Sequence, residues 1–452
     1  GNTQKYTLGS FFTGVGGIDL GFEQTNKFET VYANEIDPHP AKTFELNHPI
    51  TIDPRDIATI TSDTIPDFDI CLAGFPCQAF SIAGHRQGFD DEKGRGNLFF
   101  ELARIIQDKN PQTIFLENVK NLETHDNGNT LTTILNTLTT HGYRTTYKVL
   151  NAMHHGNTPQ NRERIYIVGF LDENAYNNFT FPEPTPLTTQ LDDIIDFHTK
   201  IDEKYYYTPG KYKGDIYEKL NETMDDSQAV YQWRRKYARK NKSGVIPTLT
   251  ANQGTGGHNV CIIKTDHGIR KMTPRECFNA QGFPTSFALP DDVADSRLYK
   301  QAGNSVCVPV IRRIAENISD ALDKETELSK TVKSPANLPQ HNKHDKVDSS
   351  ADVTQLVEYH LAMVKVASSS LVIRLDPHQG VQARLAQLVE RYLDMVKGHW
   401  FDPSIVYRGF TLSITENNAD VAQLAEHHLP KVDVASSNLV IRSNTNTEVH
   451  LK

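Results

Sequence analysis

Tyr6-Thr7-Leu8-Gly9-Ser10-Phe11-Phe12, then Thr13-Gly14-Val15-Gly16-Gly17, then Ile18-Asp19-Leu20-Gly21-Phe22-Glu23 decide how this chain is read. The first run is a strand pattern and the last is helical. The glycines between them let the backbone approach a ligand closely, which is how α/β folds begin a nucleotide-type site. The turn lacks the full G-x-G-x-x-G fingerprint, and on its own it is equally a tight connection.

Outward from that unit the alternation continues. Lys27 to Glu35 reads as a second strand ending in an acid. Glu35 stands about twenty residues past the glycine turn, where an acid commonly takes a ribose hydroxyl pair; it is equally a solvated carboxylate at a helix entry. Asp37-Pro38 opens a helix through Leu46, and Asp56-Ile57 closes a connection. Asp69-Ile70-Cys71-Leu72-Ala73 reads as a short buried strand, broken by Gly74 and Pro76 in Gly74-Phe75-Pro76-Cys77-Gln78-Ala79-Phe80-Ser81. Cys77 thus falls on a loop at a strand's carboxyl end, where open α/β sheets place their chemistry. A thiol there is a nucleophile if its pKa is lowered, and otherwise a small buried hydrophobe. Gly84 to Asn97 is too polar and glycine-rich to pack and reads as a mobile active-site loop.

Leu98 to Ile106 has helical spacing, and Thr113-Ile114-Phe115-Leu116 is a strand delivering Glu117-Asn118-Val119. Glu117 is a candidate acid, or a surface glutamate. Leu131 to Leu138 reads as a helix and Tyr147 to Leu150 as a strand. In Gln160-Asn161-Arg162-Glu163-Arg164, ahead of the strand Ile165 to Phe170, two arginines at i and i+2 share a side if the extended pattern begins there. They grip a carbonyl or phosphate, or are two surface charges. Strands alternating with helices predict a doubly wound, mostly parallel sheet.

From Leu171 the alternation fades. The run Trp233 to Lys242 places six positive side chains among aromatics, suited to a phosphate backbone or simply a solvated face. Pro247 to His258 reads as a strand and a polar loop able to reach base edges. The regular fold resumes at Arg270, with Thr273 capping a helix, Pro274 at its first position and Gly282 ending it. Gln301-Ala302-Gly303-Asn304-Ser305-Val306 is read as leading into a helix through Ile314.

With 452 residues, two or three domains are expected. The net charge of −9 does not exclude a nucleic-acid binder whose basic groups cluster. Five unevenly spaced cysteines with no C-x-x-C pair suggest neither a disulfide framework nor a zinc site. Reduced thiols imply the cytoplasm. Apolar runs are too short for a membrane span, and Gly1-Asn2-Thr3-Gln4 is not a signal peptide. Gly1 stands where an initiator Met is expected, so residues are expected to precede it.

In order, Phe12 to Gly17, Pro76-Cys77-Gln78, Glu117-Asn118-Val119, Gln160 to Arg164, Thr273-Pro274-Arg275-Glu276-Cys277 and Gly303-Asn304-Ser305-Val306 resemble the C5-cytosine DNA methyltransferase family of bacterial restriction–modification systems. The likeness covers roughly residues 5–320. It implies an S-adenosylmethionine-dependent methyltransferase fold. Phe12, Gly14, Gly16, Glu35, Ile36, Asp56, Ile57, Leu98 and Asn304 would form the S-adenosylmethionine pocket. Cys77 would attack C6 of a cytosine flipped out of double-stranded DNA, with Glu117 on its N3 and amine edge, Arg164 on O2 and Arg162 in support. No metal is implied. Ala83 departs from the family, which often has a serine there. A cognate restriction endonuclease would act on the same sequence, and a monomer is expected. The rivals are an RNA methyltransferase sharing the Pro-Cys block, and a DNA-binding protein with a decayed site.

The expected organisation is residues 1–170 for catalysis and cofactor, 171–268 for target recognition, 269–325 returning to the catalytic domain, and a poorly structured tail, 326–452. In that tail Asp352 to Arg374 and Asp420 to Arg442 repeat nearly the same words, with a partial copy at Leu385 to Glu390. The spacings, 32 residues from Val353 to Leu385 and 36 from Leu385 to Val421, disfavour a stacked solenoid. The tail resembles tandem transfer-RNA genes read as protein; the alternative is a small interaction module.

Overall fold

The computed structural model describes residues 4–76, 98–332, 439–442 and 448–451. Cys77 and the expected loop from Gly84 to Asn97 lie outside the described residues, as does most of the tail. Contacts divide the chain into two units, 1–138 with 143–334, and 139–142 with 335–452.

In the first unit β1 (Tyr6–Phe11), α1 (Gly17–Glu23), β2 (Phe28–Asn34), α2 (Pro38–Asn47), β3 (Ile70–Ala73), α3 (Leu98–Lys109), β4 (Thr113–Val119), α4 (Asn129–Thr140), β5 (Arg144–Asn151), α5 (Ala152–His155), β6 (Glu163–Phe170) and α6 (Glu173–Asn178) follow one another. The six strands form one sheet in the order β2-β1-β3-β4-β6-β5. The pairs β1–β2, β1–β3 and β3–β4 are parallel, and only β6 runs against its neighbours. The doubly wound, mostly parallel sheet expected from the alternation is therefore present. Its central strands are buried on both faces: all four residues of β3, and Thr113 to Asn118 of β4. That is why they read as continuous apolar runs rather than alternating ones.

One face of the sheet packs Leu8, Leu72, Phe115 and Val168 against Phe22 of α1 and Ile311 and Ile314 of the last helix. At Gly21 a Cβ would stand 2.6 Å from Ile311, so the missing side chain lets these two helices touch. The other face packs Ile114, Leu116 and Ile165 against Leu102 and Ile106 of α3 and Ile134 of α4.

The region expected to be irregular holds α7 (Ile216–Thr223) and a second sheet. Its strands are β7 (Val230–Arg234), β8 (Tyr237–Lys240), β9 (Ile262–Thr265) and β10 (Gly268–Lys271), antiparallel in the order β10-β9-β7-β8. Its small core joins Leu220, Met224, Tyr231, Ala238, Val260 and Ile269. The strand expected from Pro247 is absent. Pro247 has no N–H for a ladder, and the backbone N–H and C=O of Leu249 are bonded to Gln160 and Arg162 side chains.

The chain returns through α8 (Pro274–Ala280), α9 (Asp295–Asn304) and α10 (Val308–Val332). Thr273 and Glu276 close a reciprocal cap on α8, and Gly282 follows with φ of +73°, as the turn residues foretold. Gln301 to Asn304 close α9, and a short turn through Val306 leads into α10, the helix expected through Ile314.

In the second unit the described strands β11 (Leu439–Arg442) and β12 (Glu448–Leu451) pair antiparallel.

Candidate active site

Strand order reverses between β1 and β3, because β2 lies on one side of β1 and β3 on the other. The crevice beyond the carboxyl ends of such strands is where open α/β sheets bind ligands. Three segments meet there: the glycine turn after β1, Glu35 after β2, and Gly74-Phe75-Pro76 after β3.

The glycine turn is pinned to β2. Thr13 N–H donates to the Asn34 carbonyl at 3.2 Å, and Gly14 N–H to Glu35 Oε1 at 2.9 Å. Asp37 N–H donates to the other Glu35 oxygen at 3.0 Å. Burial raises the Glu35 pKa against those bonds. Gly14 has φ of +57° and open space within 4 Å of the point where a Cβ would sit. Phe12 holds φ of 51°, a left-handed backbone that is strained for an aromatic residue.

Beside the turn, Asn34 Nδ2 donates to the carbonyls of Asp53 and Arg55 at 2.9 and 2.8 Å, carrying the next residues, Asp56 and Ile57, past the end of β2. Asp56 caps a short 3-10 turn. Ile57 lies in one apolar cluster, against which Phe12 and Leu98 pack half-buried. Ile36 is 62% exposed, an apolar side chain facing solvent at the same rim. On the far side Gly16 caps α1 with φ of 84°. Asn304 is exposed, and the next residue, Ser305, places its Oγ 2.6 Å from where Gly17 would carry a Cβ. Of the candidate cofactor residues, Phe12, Gly14 and Gly16 lie in the turn, Glu35 and Ile36 follow β2, Asp56 and Ile57 follow Arg55, Leu98 opens α3 and Asn304 closes α9.

The second half of the site is built by register. In the antiparallel β4–β6 pair Glu117 faces Tyr166 and Val119 faces Arg164, so Glu117 and Arg164 share a face as diagonal neighbours. Arg164 Nε lies 3.5 Å from Glu117 Oε1. Glu117 Oε2 lies 3.2 Å from where Gly74 would carry a Cβ, and Asn118 Nδ2 donates to the Phe75 carbonyl at 3.2 Å. The backbone leading to Cys77 is therefore tied to the strand carrying the carboxylate. Burial raises the Glu117 pKa; Arg164 and then Arg162 pull it back down.

Arg162 differs from Arg164. It is 3% exposed and lies before β6, with its amino nitrogens donating to the carbonyls of Leu249, Gly303 and Ser305 at 2.9, 3.0 and 2.9 Å. Burial lowers its pKa. Arg164 donates one bond to the Glu163 carbonyl at 2.9 Å, and 15% of its side chain remains exposed.

Under the glycine turn lies a polar group that no sequence pattern announces. Ser10 Oγ and Thr30 Oγ1 each donate to Asp19 at 2.9 Å, and Thr30 also reaches Glu23 at 2.6 Å. Asp19 is fully buried, and burial raises its carboxyl to about 6. Its place in the first turn of α1 is visible in the sequence, since acids favour helix starts; its burial is not. Equally hidden is the buried pair of Arg270 with Glu276, bidentate at 2.7 and 2.9 Å, which fixes the entry to α8. Gln253, expected in a base-reaching loop, is 2% exposed and turned toward Cys277. In the basic run Arg234 is committed to the His258 carbonyl, whereas Arg235, Lys236, Arg239 and Lys242 are exposed or partly so.

Among known families, a model described as C-5 cytosine-specific DNA methylase matches residues 6–320. The chain belongs to that family. Its relatives include the type II methyltransferase M.Bsp6I of Bacillus sp. (strain RFL6), 58% identical over 311 residues that cover 69% of this chain and 98% of that protein. M.HhaI of Haemophilus parahaemolyticus is 38% identical, over 69% of this chain and 94% of its own. The solved structure of the Entamoeba histolytica methyltransferase EhMeth shares the fold, with a TM-score of 0.56 at 18% identity over 71% of this chain and 99% of that one. The protein is thus a type II C5-cytosine DNA methyltransferase. Among the methyltransferase's described residues no helix is long and apolar enough to cross a membrane.

Proposed function

We propose that this methyltransferase modifies C5 of a cytosine flipped out of duplex DNA, through a covalent Cys77 adduct, within a restriction–modification pair whose endonuclease acts on the same sequence. The observation that carries this reading is the Glu117–Arg164 pair beside Gly74, three residues before Cys77, next to the rim of the glycine turn.

The rim fits S-adenosylmethionine. Glu35 offers a carboxylate to ribose hydroxyls, Phe12 and Ile36 offer apolar faces to a purine, and the open side of Gly14 admits the backbone's close approach. Asp56, Ile57, Leu98 and Asn304 complete the pocket. Bound there, the cofactor supplies an electrophilic methyl group on a positively charged sulfur, which cytosine C5 accepts once the ring is enamine-like.

Making the ring enamine-like is the work of the protein. Cytosine C5 is a poor nucleophile. The Cys77 thiolate forms a bond to C6, and the ring's electron pair moves toward C5 and N3. Glu117, whose burial favours the protonated form, bonds N3 and the exocyclic amine and neutralises the charge developing there. Arg164 donates to O2. Loss of the C5 proton and expulsion of the Cys77 thiolate then restore the aromatic ring. The ring edge and both its faces must be reached at once, so the base has to leave the stack.

Bisulfite sequencing of DNA from cells expressing this chain tests the reading. Protected cytosines within one recurrent sequence are the expected result. DNA without protected cytosines, from cells holding soluble protein, would contradict it.

A further inference from the structure

Gln160 is buried to 0% exposure, and its side-chain amide is saturated. Its Oε1 accepts from Leu249 N–H at 3.2 Å and from Arg162 at 3.3 Å; its Nε2 donates to the Ala280 carbonyl at 2.7 Å and to Gln281 Oε1 at 3.0 Å. A carboxamide has two donor hydrogens and two acceptor lone pairs, and all four are used. It therefore has nothing left to offer a substrate. Gln281, also fully buried, donates onward to the Ala302 carbonyl at 2.9 Å.

These bonds join three stretches far apart in sequence. The first is the entry to β6, which carries Arg164. The second is the Ile246 to Leu249 segment leaving the second sheet, held further by Asn161 N–H on the Ile246 carbonyl at 2.8 Å and Thr248 Oγ1 on the Asn161 carbonyl at 2.6 Å. The third is the turn after α8 with the end of α9, where Arg162 also bonds Gly303 and Ser305. Buried, fully satisfied polar networks specify one arrangement of their parts, because any other leaves a polar group unpaired.

We infer that Gln160 is a positioning residue for methyl transfer: it locks the segment leaving the DNA-reading sheet onto the strand that carries Arg164, so that a correctly bound sequence presents its cytosine to the Glu117–Arg164 pair. This rests on the function proposed above. Gln160 acts through Arg162 and Leu249 and touches no substrate. Disturbing it loosens the coupling between sequence reading and chemistry rather than the chemistry itself.

The test uses the full chain, duplexes carrying the sequence mapped for the wild type, and duplexes with one base pair of it changed. Gln160→Glu keeps the shape but turns two donors into acceptors facing Ala280 and Gln281. Its KM for the mapped duplex should rise about tenfold, and its preference over the altered duplex should fall about tenfold, while kcat at saturating DNA stays within about threefold. Gln281→Glu, which keeps the acceptor for Gln160 but loses the donor to the Ala302 carbonyl, should show the same split and carries the test if Gln160→Glu does not fold. A fall in kcat with KM and preference unchanged would overturn the inference, as would variants indistinguishable from wild type. If the wild type itself transfers no methyl group to DNA, the function proposed above fails instead.

Discussion

In the mechanism proposed above Glu117 holds a proton for a base edge; its carboxyl is buried, with Arg164 3.5 Å away. Glu117→Gln keeps a hydrogen-bonding edge but cannot titrate. Its kcat should fall roughly 100-fold with little change in DNA affinity, measured by single-turnover methyl transfer; an unchanged kcat would remove Glu117 from the proton's path. Asp19 tests the floor of the glycine turn. Its folded carboxyl titrates near 6 against an ordinary 3.8. The folded protein thus holds a proton between those values that the unfolded chain releases, so this group's contribution to stability declines as pH rises from about 4 to about 6. Asp19→Asn should remove that slope. The stability difference between variant and wild type, from denaturant unfolding at pH 4.5 and 7, should change by roughly 2 kcal/mol. A difference constant with pH would show that Asp19 does not carry the raised carboxyl. The types and order of the site residues are legible in the sequence; their partners are not. Glu117 and Arg164 meet because β6 runs antiparallel to β4 with Val119 opposite Arg164, a register no local pattern states.

At the scale of elements, β1 with its glycine turn and α1 is legible because its apolar spacing and its breakers agree. The second sheet is not, because β8, Tyr-Ala-Arg-Lys, buries only Ala238 and so shows no clear alternation. Its exposed cations are the proposed contacts to the DNA backbone. Arg235 and Arg239 stand exposed at and beside the β7–β8 turn, where Arg235 has φ of 54°. Replacing both with alanine should weaken duplex binding and lower the slope of log affinity against log salt by about two. The measurement is a salt titration of binding, and an unchanged slope would move the phosphate contacts elsewhere. The Ile246 to Leu249 segment resembles a strand because Ile246, Thr248 and Leu249 suit extended backbone. It is instead a strap bonded to Gln160 and Arg162, since long-range polar partners outweigh local propensity.

At the scale of the whole molecule, the family match stops at residue 320, and M.Bsp6I is covered over 98% of its length by 311 residues of this chain. The matched family region therefore ends before the repeats of the tail begin. A chain ended at residue 334 should methylate its sequence at the rate of the full chain, compared at equal concentrations of soluble protein; loss of activity there would give the tail a function. Everything else depends on one sulfur, Cys77, forming a bond to a cytosine ring in DNA. The direct measurement is trapping on a duplex whose target cytosine carries fluorine at C5, which blocks the final loss of the C5 substituent and leaves the adduct in place. With S-adenosylmethionine present, the wild-type chain should give a complex with DNA that survives denaturing electrophoresis, and Cys77→Ser should give none. No complex from the wild type, or an equal one from Cys77→Ser, would contradict the account.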